Sequence, residues 1–284
     1  MKKEFRIRPL FFAALMLLTS LIFVIEALGS EHQEYVFSFV GHGGTFRYHD
    51  LKILFIPAYW ALMAAGFIVC LVQSLRQYKK YGIGIARAIL IPVAFLIVSF
   101  AGGKLLYVIE NFQSVKSSGL SFDGLSLFGA IIAVPAVALL GAKMLKMPYG
   151  ALLDYCAPLG LILLIFVRIG CFISGCCGAF TIWSGTNPII LPVQLFEVVI
   201  DLVILDAVQS CEKRYEKRGV AYPLLVTLYG FARFFLEFLR KPQSESLDHS
   251  SKILAAACFF VGGAVVFLLI KRIKGERSIK NKNS

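Results

Sequence analysis

Six ionisable side chains stand inside long apolar runs of this sequence: Lys104, Arg168, Glu197, Asp201, Arg233 and Glu237, with Gln194 beside them. A charge at the centre of a membrane helix costs ~2.5–3.5 kcal/mol on insertion scales, so each of these residues needs a partner or a task. Their spacing groups them. Tyr229, Arg233, Glu237 and Arg240 recur at i, i+4, i+8 and i+11, which lines them along one stripe of a helix. Gln194, Glu197 and Asp201 recur at i, i+3 and i+7 and make a second stripe, acidic where the first carries arginine. Acidic stripes facing Arg168 and Arg233 fit two kinds of chemistry. One is purely structural, ion pairs that hold helices together. The other uses the guanidinium fork, which grips phosphate bidentately. A group of arginines open sideways to lipid suggests a phospholipid headgroup as the ligand.

A second constellation is Arg168-Ile-Gly-Cys-Phe-Ile-Ser-Gly-Cys-Cys-Gly178, with Cys171, Cys176 and Cys177 among Gly170, Gly175 and Gly178. Three readings fit it. Cys171 forms a disulfide with one of the pair on an oxidising face; the thiols bind a metal, though no histidine and no fourth ligand lie nearby; or small residues pack closely around a sharply turned helix end. Cys70, Cys156, Cys211 and Cys258 read as small hydrophobes.

The elements that must position these residues are transmembrane helices. Hydrophobic residues make up 58% of the 284-residue chain and charged residues only 16%, against roughly 25% charged in soluble domains. About 20 apolar residues cross the hydrocarbon core, and eight segments meet that length: 10–28, 53–75, 88–109, 124–142, 150–172, 190–210, 219–239 and 252–270. The fold class expected is all-α, a polytopic bundle of about eight spans. The first run resembles a signal peptide, but it lacks a convincing cleavage site and is long for one; it reads as an uncleaved helix. Lys and Arg concentrate at the N-terminus, in loops 76–87, 143–149 and 211–218 and in the tail. Loops 29–52, 110–123 and 173–189 are poor in base. That alternation puts both termini on the cytoplasmic side and gathers the intramembrane charges toward the outer leaflet. It also accounts for the net charge of +12; no basic face with interleaved aromatics suggests a nucleic-acid partner.

In order and spacing, three stretches resemble the prolipoprotein diacylglyceryl transferase family. The first is Tyr59-Trp60-Ala61-Leu62-Met63, a basic loop, then Gly102-Gly103-Lys104-Leu105-Leu106-Tyr107. The second is Asp154-Tyr155-Cys156-Ala157-Pro158, then Arg168-Ile169-Gly170 and the glycine-rich loop. The third is Pro192-Val193-Gln194-Leu195-Phe196-Glu197, then Tyr229-Gly230-Phe231-Ala232-Arg233 through Glu237 to Arg240. The likeness covers about residues 53–272. It implies three parts: an extra N-terminal helix and outer loop (1–52), the transferase-like membrane domain (53–272) and a basic cytoplasmic tail (273–284).

The resemblance implies transfer of a diacylglyceryl group from phosphatidylglycerol to the lipobox cysteine of a prolipoprotein, with release of glycerol phosphate, at the bacterial plasma membrane. The partners implied are phosphatidylglycerol, the prolipoprotein signal-peptide region and membrane lipids; no cofactor and no metal are expected. Arg168 and Arg233 match the family's essential arginines and suit the anionic phosphate and its departure. Glu197 and Glu237 would orient them or take the thiol proton. Tyr229, Gln194, Tyr59, Trp60, Lys104, Gly170, Cys171, Cys176 and Arg240 are the expected substrate-binding set. The sequence departs from the family pattern at Cys171 and Ser174, where the family has Asn, and at Cys176, where it has Glu. Phe128 and Leu191 stand where the family has His, and His32, His42, His49 and His249 are all expected in loops. A general base is therefore sought among Glu197, Glu237, His42 and His49. The alternative is a paralogue that binds phospholipid or lipoprotein without transfer.

Overall fold

The computed structural model describes residues 9, 13, 16–17, 52–53, 56–112, 115–116, 125–173, 180–181, 190–191, 193–238 and 245–282. Among them are seven helices of substantial length: α1 (Ala58–Tyr81), α2 (Ile85–Glu110), α3 (Leu127–Leu145), α4 (Tyr149–Ile173), α5 (Val193–Arg214), α6 (Ala221–Phe238) and α7 (Glu245–Lys282). Two short antiparallel pairs accompany them, β1 (Lys52–Ile53) with β2 (Ile56–Pro57) and β3 (Phe180–Thr181) with β4 (Ile190–Leu191). Seven of the eight expected spans thus have a helix. Of the first apolar run and its approach, Pro9, Ala13, Met16 and Leu17 are helical, and the rest lies outside the described residues.

Among the described residues, five helices are long and apolar enough to cross a membrane: Tyr59–Tyr81, Ile85–Glu110, Leu127–Leu145, Tyr149–Phe172 and Ser250–Glu276. The chain is therefore a multi-pass helical membrane protein. The other two long helices, α5 and α6, carry Glu197, Asp201, Arg233 and Glu237. Pro92, Pro135 and Pro158 sit inside α2, α3 and α4 without ending them, as membrane helices tolerate when neighbours satisfy the freed backbone groups.

By their internal contacts the residues form two compact units. The first takes in Met1–Val69, Gly160–Ser210 and Phe231–Lys252; the second takes in Cys70–Leu159, Cys211–Gly230 and Ile253–Ser284. Within the second unit α2 and α3 cross at two glycines. A Cβ on Gly102 would come within 2.7 Å of the Gly129 carbonyl oxygen, and one on Gly129 within 2.8 Å of the Gly102 carbonyl carbon. Small residues let membrane helices approach this closely, because packing rather than water drives their association.

The same unit contains a clamp on the start of α6. Asp154 of α4 is fully buried, and its carboxylate accepts the backbone N–H groups of Gly219 at 2.7 Å, Ala221 at 2.8 Å and Tyr222 at 3.4 Å. Gly219 has φ +80° and meets Gly150 backbone to backbone, so the turn before α6 is built for glycine. The first N–H groups of a helix have no partner within it, and this carboxylate supplies one from another helix. Asp154→Ala would leave those donors buried and unsatisfied, a loss of about 1–3 kcal/mol per group. The expected outcome is a lower Tm in lipid nanodiscs for Asp154→Ala and likewise for Asp154→Leu.

At its far end α7 runs on to Lys282 rather than stopping at the expected span end near 270. Lys, Arg and Glu are good helix formers. The stretch is also held by Arg272–Glu276 at 3.2 Å and Arg218–Glu276 at 2.8 Å, beside a buried Ile273.

Candidate active site

Within the first unit, segments of three helices bring charged residues together. Arg168 comes from the last two turns of α4, Glu197 from the first turns of α5, and Arg233 and Glu237 from α6. All four are buried: Arg168 is 7% exposed, Glu197 4%, Arg233 8% and Glu237 9%. Glu197 is the hub. Its Oε2 lies 2.9 Å from Arg168 Nε, and its Oε1 accepts a hydrogen bond from Arg233 Nη1. Arg233 Nε in turn lies 3.1 Å from Glu237 Oε2, one turn along the same helix. The hydroxyl of Ser251, on α7, donates to Glu237 Oε1 at 2.8 Å.

One carboxylate therefore fixes two guanidiniums from two other helices, and a second carboxylate fixes the side of one of them. Breaking a pair like this by removing one partner is costly, because the survivor stays buried and uncompensated. Two held cations are also a preorganised site for an anion, since their orientation is set before the anion arrives. Asp201 is 2% exposed and lies one turn after Glu197 on α5; Gln194 is 1% exposed on the preceding turn.

The other expected site residues divide as follows. Tyr59, at the start of α1, packs against Gly170: a Cβ there would fall 3.0 Å from the Tyr59 ring. Trp60 is exposed and meets the Tyr59 ring edge-to-face, with centroids 5.6 Å apart. Cys171 is buried at the end of α4. Lys104 and Tyr229 belong to the second unit. There Lys104 Nζ lies 4.9 Å from the centre of the Tyr107 ring, and Tyr229 is buried one turn before Arg233 on α6. Cys176, Cys177, Arg240, His32, His42 and His49 lie outside the described residues. Sequence reasoning gave no role to Ser251; a hydroxyl near a helix start carries too weak a signal to single out.

A sequence model of prolipoprotein diacylglyceryl transferases matches residues 13–269. The chain belongs to that family. Curated relatives agree with this. A phosphatidylglycerol–prolipoprotein diacylglyceryl transferase of Clostridium tetani is 28% identical over 210 residues, which cover 67% of this chain and 83% of the relative. One from Geobacter sulfurreducens is 27% identical over 269 residues, covering 86% and 98%. Another, from Clostridium perfringens, is 25% identical over 246 residues, covering 80% and 95%. The family match includes Arg168, Glu197, Arg233 and Glu237, and also most of the first apolar run.

Proposed function

We propose that this chain transfers a diacylglyceryl group from phosphatidylglycerol to the lipobox cysteine thiol of a prolipoprotein. The observation that carries this reading is the pair of buried arginines held by Glu197 in a member of this family. In the reaction the thiol sulfur forms a bond to the terminal glyceryl carbon, and the bond from that carbon to the phosphate oxygen breaks. The thiol proton passes to a base. Glycerol phosphate leaves, and its phosphate carries one more negative charge than it did as a diester. That growing charge is what fixed cations in a dry site stabilise best.

The roles proposed for the residues are these. Arg168 and Arg233 bind the phosphate and stabilise its departure. Glu197 spends both oxygens on them and acts as their positioning residue. Glu237, held by one guanidinium and one hydroxyl, takes the thiol proton. On the family resemblance, Gln194, Tyr229, Tyr59, Trp60, Lys104, Gly170, Cys171, Cys176 and Arg240 are assigned to binding of lipid and peptide. The first apolar run adds a span ahead of the 53–272 domain, giving eight spans, cytoplasmic termini and a basic cytoplasmic tail from 273. The alternation of basic and base-poor loops supports this orientation, which opens the site to the outer leaflet. The bacterial sources of the relatives support the plasma membrane as its location.

A second reading, a paralogue that binds lipid without transferring it, rests on Phe128. It is buried at 5% exposure where the resemblance places a histidine. Complementation separates the two. In a bacterium depleted of its resident transferase, expression of this chain should restore lipidation of a reporter prolipoprotein, seen as a gel shift and a gain in mass. Membrane-inserted protein without lipidation would favour the paralogue.

A further inference from the structure

The charged cluster contains a carboxylate to which the mechanism above gives no task. Asp201 lies on α5, one turn beyond Glu197, and is 2% exposed. The charges acting on it come from every side of the cluster: Arg168 on α4, Arg233 on α6 and Glu197 on its own helix, with Glu237 paired to Arg233 one turn farther along α6. The three carboxylates are not equivalent. Glu197 sets each oxygen against a guanidinium. Glu237 receives the Ser251 hydroxyl on one oxygen and faces Arg233 Nε with the other. Asp201 Oδ2 is buried and, like Glu197 Oε2 and Glu237 Oε2, accepts no hydrogen bond among the described residues, but unlike them it has no ion-pair partner there.

An ionised carboxylate accepts hydrogen bonds only, whereas a protonated one has a hydroxyl of its own. Burying the ionised form with an oxygen that nothing donates to costs several kcal/mol, and a group so placed neutralises instead. Charge counting leads to the same residue. Among the described residues, two guanidiniums against three ionised carboxylates give the cluster a net charge of minus one, which repels an incoming phosphate. With one carboxylate neutral the sum is zero, and the anion meets two cations already oriented toward it.

We propose that Asp201 carries a proton that balances the arginine–carboxylate cluster, so that the lipid phosphate enters a neutral site rather than an anionic one. Asp201 is thus a positioning residue that acts through Arg168 and Arg233 and touches neither reacting group. This inference rests on reading the cluster as the phosphate site.

The test has two arms on the full-length protein in phosphatidylglycerol nanodiscs. In the first, infrared difference spectroscopy compares wild type with Asp201→Asn and, separately, with Glu237→Gln at neutral pH. The carbonyl stretch of an un-ionised carboxylic acid is expected in wild type and in Glu237→Gln, and is absent from Asp201→Asn. Its persistence in Asp201→Asn, or its absence from wild type, overturns the proposal. The second arm measures KM for phosphatidylglycerol and kcat across neutral and alkaline pH. Wild-type KM should rise by about tenfold as the proton leaves, the size of effect that one nearby charge produces. Asp201→Asn should show a flat KM over the same range. A KM profile in Asp201→Asn that follows wild type overturns it. If wild type transfers nothing, the proposed function fails, and the infrared arm still decides where the proton sits.

Discussion

Arg233→Ala is expected to lower the rate of diacylglyceryl transfer by about 10²–10³, the loss typical of removing one fixed donor from a charge-stabilising site. Arg233 faces Glu197 with Nη1 and Glu237 with Nε. Removing it subtracts a charge that opposes the departing phosphate and also frees two carboxylates to repel that phosphate. A folding defect would confuse the result, so Arg233→Lys is the informative companion. Lysine keeps a positive charge but presents a point rather than a planar fork. The lysine variant should insert and melt like wild type, while its kcat falls by at least tenfold. Initial rates on a lipobox peptide, with nanodisc Tm as the fold control, measure both. Near-wild-type rates in Arg233→Ala would remove the phosphate role from this residue.

Glu197→Ala should instead be read first as a stability variant. It leaves two guanidiniums, 7% and 8% exposed as whole residues, without the carboxylate that joins them. Breaking a buried ion pair from one side costs about 3–5 kcal/mol. A loss of that size lowers Tm by several degrees and reduces the yield of inserted protein. Glu197→Gln keeps the shape and loses the charge, so it should recover part of the packing while the arginines lose their alignment. The prediction for Glu197→Gln is a Tm between those of wild type and Glu197→Ala, with kcat lowered more than KM is raised. Equal Tm for all three proteins would mean that Glu197 does not tie α4 to α6.

Much of this was legible in the sequence because membrane helices announce themselves by length and apolarity. The positions of α1 to α7 follow from runs of about 20 apolar residues. The stripes at Gln194-Glu197-Asp201 and Tyr229-Arg233-Glu237 follow from helical periodicity alone. What spacing cannot assign is the pairing across helices. That Glu197 takes both arginines, while Asp201 takes no donor on Oδ2, depends on how far each helix is turned and how deep it sits. Asp154 shows the same limit. It stood out only within a stretch resembling the family, and the structure shows it holding the first N–H groups of α6. The β1–β2 and β3–β4 pairs escaped a reading built on hydropathy, because two residues are too few to show the alternation of a strand. The length of α7 was missed for a related reason. Apolarity marks where lipid ends, whereas a helix of Lys, Arg and Glu continues past that point.

The central claim, that the Arg168–Glu197–Arg233 cluster serves diacylglyceryl transfer, is tested most directly by a product balance. Purified protein in phosphatidylglycerol vesicles is mixed with a lipobox peptide, and both products are measured by mass spectrometry. The account predicts a peptide heavier by one diacylglyceryl group, one equivalent of released glycerol phosphate, and neither product when the peptide cysteine is serine. Folded, inserted protein that yields neither product with the cysteine peptide, or releases glycerol phosphate without modifying it, would contradict the account.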